Sequence, residues 1–167
     1  MNLPFIANRF PYPPYRGDKL KIYNLAQKLS KEHTLYLLTF VQTKEDLKHI
    51  PELEVYFDKV RVVYLPKYVS ALRCFVKMFS SRPFQVIYFE SSRFRKLVKN
   101  FINNNKIDAV HIQHIRMAQY GKQIDGVRKI LDIPDAISLF WERRSKLKQN
   151  IFKRIFDNIE YKKILKY

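Results

Sequence analysis

Short apolar, β-prone segments alternate with amphipathic helical ones along this chain, which predicts an α/β fold: a parallel sheet with helices on both faces. Residues 34–41, TLYLLTFV, form a nearly unbroken apolar run, as in a parallel strand buried on both sides. Between residues 18 and 31, Ile22, Leu25, Ala26 and Leu29 recur at i, i+3, i+4 and i+7, the spacing of one buried helix face. With 47% apolar and 15% aromatic residues, 167 positions suffice for one globular domain.

The elements follow in order. Residues 3–7 read as a short first strand. A Pro-rich loop leads from Arg9 through Pro11, Pro13 and Pro14 to Gly17, and Asp18 stands as candidate N-cap of the helix over 18–31. The second strand is 34–41. Thr43-Lys44-Glu45-Asp46 resembles a capping box and opens a short helix over 43–50. Residues 60–65 form a third strand, stopped by Pro66. Helical spacing returns over 68–81 with Val69, Leu72, Val76 and Phe79, while Arg73 and Lys77 lie on another side. Residues 84–89 read as extended and apolar. A basic helix over 92–104 turns Phe94, Leu97, Val98 and Phe101 inward. Strand 108–113, a helical turn at 117–123 and strand 127–133 complete the alternation. Beyond Pro134 one long, mostly helical basic segment runs to Tyr167, with nine Lys or Arg against two acids from 143 onward.

The charge is extreme: 32 Lys and Arg against 15 Asp and Glu, a formal +17. Such a surface attracts polyanions, either nucleic acid or an anionic membrane leaflet. Part of it is also compositional, since the chain is rich in Lys, Ile, Asn, Tyr and Phe. The single Cys74 excludes a disulfide framework and reads as an ordinary apolar side chain. No signal peptide is visible, and no apolar run approaches the ~20 residues that span a bilayer. The expectation is a cytoplasmic protein, with any membrane contact peripheral.

The loop over 9–19 is the most informative motif. A strand, a loop, one of only three glycines and a helix is how an open α/β sheet builds a ligand site at its first strand's carboxyl end. The helix N-terminus offers free N–H groups and partial positive charge to a phosphate or hydroxyl. The glycine-rich dinucleotide and P-loop fingerprints cannot be built from Gly17, Gly121 and Gly126. His111 and His114 lie at a strand end, where one of them could make a polar contact; their spacing of three places them on opposite faces, and no metal site is expected. Asp132 and Asp135 flank the last strand. They could orient a hydroxyl or act as a base, and Asp135 could equally cap the helix after it. Trp141 reads as core or interface. Apolar stripes flanked by cations suit interfacial binding, with Arg73 and Lys77 as the candidate membrane-surface residues. No RNA-recognition, helix-turn-helix or zinc-finger signature is present, so nucleic acid is not the expected partner.

Taken together, Arg9-Phe10-Pro11-Tyr12-Pro13-Pro14-Tyr15-Arg16-Gly17-Asp18-Lys19 followed by Ile22-Tyr23-Asn24-Leu25 resembles the amino-terminal signature of family 4 glycosyltransferases. The resemblance is nearest to sugar transferases of exopolysaccharide and PEP-CTERM systems. Ser81-Arg82-Pro83-Phe84, Met117-Ala118-Gln119-Tyr120 and Leu131-Asp132-Ile133-Pro134-Asp135-Ala136-Ile137-Ser138-Leu139-Phe140-Trp141 agree in order and spacing. The resemblance implies a GT-B enzyme, with two Rossmann-like domains across a cleft, retention of anomeric configuration, and no metal or cofactor. Its amino-terminal domain receives the acceptor, a glycan or lipid-linked one, and the other domain holds the nucleotide sugar. By position, Arg16, Gly17, Asp18 and Lys19 would line the cleft, with His114 beside them and Asp135 as the candidate catalytic residue. Pro134 stands where other branches carry His. No segment resembles the donor-binding half or its paired glutamates, so the expectation is a single acceptor-side domain, inactive alone. The competing expectation is a non-catalytic basic module that binds anionic membrane or nucleic acid.

Overall fold

The computed structural model describes residues 1–133, 136–147 and 150–167. Five parallel strands, β1 (Asn2–Ala7), β2 (Thr34–Val41), β3 (Lys59–Tyr64), β4 (Ala109–Gln113) and β5 (Arg128–Asp132), form one sheet in the order β3-β2-β1-β4-β5. The chain builds outward from β1 to β3, then returns to the other side of β1. This reversal between β1 and β4 makes a Rossmann-like sheet with a switch point at its centre.

Alternation along the central strands separates two cores. Leu3, Phe5 and Ala7 of β1, with Leu35 and Leu37 of β2, face Ile22 and Ala26 of α1 (Gly17–Leu29) and Leu53 of α2 (Ile50–Glu54). Ile6, Leu38, Phe40 and Ile112 point the other way, against Phe94 and Val98 of α5 (Ser92–Asn103) and Tyr120 of α6 (Ile115–Gly121). Gly121 lets α6 lie close to β4: a Cβ there would push the end of the Ile112 side chain aside. The outer strand β5 is different, with Ile130 and Leu131 each 46% exposed.

The predicted strands are present with their ends moved by a residue or two, except one. Residues 84–89 are not extended: Phe84–Tyr88 is a short helix, α4. The buried carboxylate of Glu160, in α8 (Ile151–Lys166), accepts hydrogen bonds from Phe84 N at 2.7 Å and Gln85 N at 3.1 Å. A contact 76 residues away thus satisfies the first turn of a β-prone segment. The helix expected over 68–81 is α3 (Lys67–Val76), ending five residues early. The helix expected over 43–50 is a 3-10 turn, Glu45–His49, continued by α2. Its capping contact is real in part, since Asp46 Oδ2 accepts from Thr43 N at 3.2 Å. The long terminal segment is two packed helices, α7 (Ile137–Lys146) and α8, tied by an Arg144–Asp157 ion pair at 2.9 Å.

Candidate functional site: the cleft at the carboxyl end of the sheet

Asn8 follows β1 directly, at the switch point. Its side chain is fully buried, and among the described residues neither Nδ2 nor Oδ1 has a hydrogen-bond partner. Buried amides are nearly always paired, so an unpaired one beside a loop is a polar group that an ordered water or a ligand would satisfy. Across the switch point, Gln113 Nε2 at the end of β4 donates to Asp18 O at 2.6 Å, tying α1 to the sheet. Lys21 Nζ reaches Asp132 Oδ1 at 2.6 Å, and Asp132 Oδ2 lies 3.6 Å from His111 Nε2. Burial is the main reason that His111 titrates below its ordinary value; Asp132 works against this, and Lys21 with it. The His111 ring packs against Phe5, with centroids 4.7 Å apart.

The loop ends in Arg16, whose extended backbone makes it the N-cap, so α1 starts at Gly17 and Asp18 lies in its first turn. Asp18 therefore does not cap; it pairs with Arg9 at 3.4 Å. A Cβ on Gly17 would meet nothing within 4 Å, so no protein neighbour demands glycine there. Arg9, Arg16 and Lys19 line a pocket of about 370 Å³ together with Lys67, Thr43 and Asp46. Burial is the largest reason that Lys19 titrates below the usual lysine value; Asp46 and Asp18 oppose it, while Arg9 and Arg16 add to it. An anion in this pocket would relieve that crowding of like charge.

A second, mainly apolar cavity of about 600 Å³ adjoins the first and shares Arg9, Gln42 and Tyr88 with it. Its walls are Phe75 of α3, Met78, Phe84 of α4, Trp141 of α7 and Phe156 of α8. Phe84 and Phe156 stack at 4.9 Å. A third cavity, about 860 Å³, continues from it past Gln85, Arg116 and Trp141.

Of the expected site residues, Arg16 and Lys19 come together in the basic pocket, and Gly17 and Asp18 start the helix beside it. His114 lines the third cavity instead. It caps α6 with φ of 72°, an uncommon conformation for a non-glycine residue, and its N–H donates to Asp132 O at 2.7 Å. Asp135 lies outside the described residues. Arg73 and Lys77 both turn to Glu90: the Arg73 guanidinium to its carbonyl, Lys77 Nζ to Oε2 at 2.7 Å. Although burial pushes Glu90 up, the Lys77 hydrogen bond and the Arg82 charge hold it below the ordinary carboxylate value. The outer face of α3 is left apolar, with Tyr68, Leu72 and Phe75 exposed, and Phe79 just after it is exposed too.

The chain matches no family model, no curated protein and no solved structure. Sequence reading missed Asn8, Lys67 and Glu160. Asn8 had a local signal, a polar amide directly after an apolar strand. Lys67 and Glu160 had none, because only the tertiary fold brings them to the cleft. Among the described residues, no three His, Cys, Asp or Glu side chains are placed to hold a metal ion, and no helix is long and apolar enough to cross a membrane.

Proposed function

We propose that this chain is the acceptor-side domain of a retaining glycosyltransferase of the family 4 type, which passes a sugar from a nucleotide-sugar donor to a glycan or lipid-linked acceptor. The observation that carries the reading is the unpaired, fully buried Asn8 amide at the switch point, beside the loop that enters α1. An acceptor hydroxyl has both a donor and an acceptor, and a carboxamide can serve both. The basic pocket next to it suits a phosphate of donor or acceptor, through charge-assisted bonds from Arg9, Arg16 and Lys19. In this reading the protein works at the inner face of the cell membrane, with the donor held by a second domain of the GT-B pair.

The test is gene-dependent transfer. Membranes from cells that express the gene, and from cells that lack it, are incubated with labelled nucleotide sugars. The expected result is label in polymer or organic-extractable material only with the gene, abolished by Arg9→Ala combined with Lys19→Ala. No gene-dependent label with any common donor contradicts the reading. If the purified chain then also binds unrelated DNA and RNA with a steep salt dependence, the basic-module alternative replaces it.

A further inference from the structure

The cleft is divided by chemistry. Its α1 end gathers Arg9, Arg16, Lys19 and Lys67 around a pocket that Asp46 also lines, with Asp18 beside it on Arg9. Its other end is walled by Phe75, Met78, Phe84, Trp141 and Phe156. The two cavities meet at Arg9, Gln42 and Tyr88, so one ligand can reach from the cations to the apolar wall. Both volumes fall within the ~300–1,000 Å³ of small-molecule sites. A free sugar or a bare phosphate would use the first end and leave the second empty.

We propose that the two cavities form one site for a lipid monophosphate, its phosphate among Arg9, Arg16 and Lys19 and its hydrocarbon chain along Phe75, Met78, Trp141 and Phe156. This rests on the acceptor reading above and narrows it to a lipid-linked acceptor. Four cations outnumber the two carboxylates near them, Asp46 and the Asp18 that pairs with Arg9, and so complement a phosphate, while the joined apolar cavity complements its chain. Access for the chain is also built in. Phe75 lines the cavity and is 70% exposed, on the same helix face as Tyr68 at 74% and Leu72 at 63%. That face gives an apolar path from a bilayer surface to the cavity, without Arg73 or Lys77, which are engaged by Glu90.

Trp141 is the only tryptophan and stands where the apolar cavity meets the third one, so its emission reports that end of the cleft and not the basic pocket. The purified chain is titrated with farnesyl phosphate below its aggregation concentration, and in parallel with farnesol and with inorganic phosphate. Farnesyl phosphate is expected to shift Trp141 emission saturably and to bind at least ~10-fold tighter than farnesol, the effect of about one charge-assisted contact. Inorganic phosphate is expected to leave the emission unchanged. Arg9→Ala with Lys19→Ala should erase the advantage of the phosphate over farnesol, and the exposed Phe75→Ser should weaken farnesyl phosphate but not its charge dependence. Equal binding of farnesol and farnesyl phosphate, or no saturable shift in a chain shown folded by circular dichroism, overturns the proposal. The acceptor reading has a separate fate: gene-dependent label confined to water-soluble glycan would keep that reading and sink the lipid phosphate.

Discussion

The basic pocket stands on the ends of β1 and β2, where Phe10 and Phe40 are buried and the backbone is fixed by the parallel ladder. The apolar cavity stands on α3, α4, α7 and α8, none of which pairs with a strand. Glu160 and the Phe84–Phe156 stack hold its wall together. The charged end of the cleft is therefore set by the core of the fold, and the apolar end by a few contacts between helices. That arrangement suits a ligand whose head must be held at one spot while its tail needs only room.

Substitutions should separate the two ends. The largest effect is expected from Phe40→Ala, which empties a core position stacked on Phe94 at 4.2 Å and reaching the basic pocket. It should cost about 3–5 kcal/mol in urea unfolding and damage both ends. Glu160→Ala should cost about 1–3 kcal/mol, because Phe84 N and Gln85 N lose their acceptor. Its damage should stay local: faster amide exchange in α4 and α8, with α1 unchanged. Equal exchange throughout would break the distinction between the two ends.

Asn8→Leu sharpens the same contrast from the other side. Replacing an unpaired buried amide with an apolar side chain of similar size should leave stability unchanged or raise it by about 1 kcal/mol, while gene-dependent sugar transfer is lost. A clear loss of stability would mean that the amide serves the fold and not a ligand. The smallest effect is expected with pH. Burial holds His111 below its ordinary value of 6.5, so just below that pH the unfolded chain takes up a proton that the folded chain does not. Stability then falls as pH drops through the window between 6.5 and the lower folded value, and His111→Gln should flatten that fall in urea midpoints measured across it.

The same division governs what could be read from the sequence. The central strands and α1 were legible because burial on both faces leaves a continuous apolar run in β2 and a helical repeat in α1. The loop over 9–19 was legible as a strand-to-helix turn because its Pro and Gly punctuation sits between β1 and α1. The segment at 84–89 was not. Phe84, Val86, Ile87 and Tyr88 favour a strand, and their helix depends on the distant Glu160 carboxylate. The apolar cavity was illegible for the same reason: Met78, Trp141 and Phe156 are far apart in the chain and meet only through helix packing. Arg73 and Lys77 looked like outward cations, because nothing local in the sequence points them to Glu90.

In the proposed function the carboxyl-end cleft, and not the basic surface as a whole, binds the ligand. Amide chemical shifts of the labelled chain during titration with farnesyl phosphate test it most directly. The account predicts changes concentrated at residues 8–19 and 42–46, and at the Trp141 indole, with the exposed cations of α5 unmoved. Changes spread over α5, with Asn8, Lys19 and Trp141 still, would contradict it.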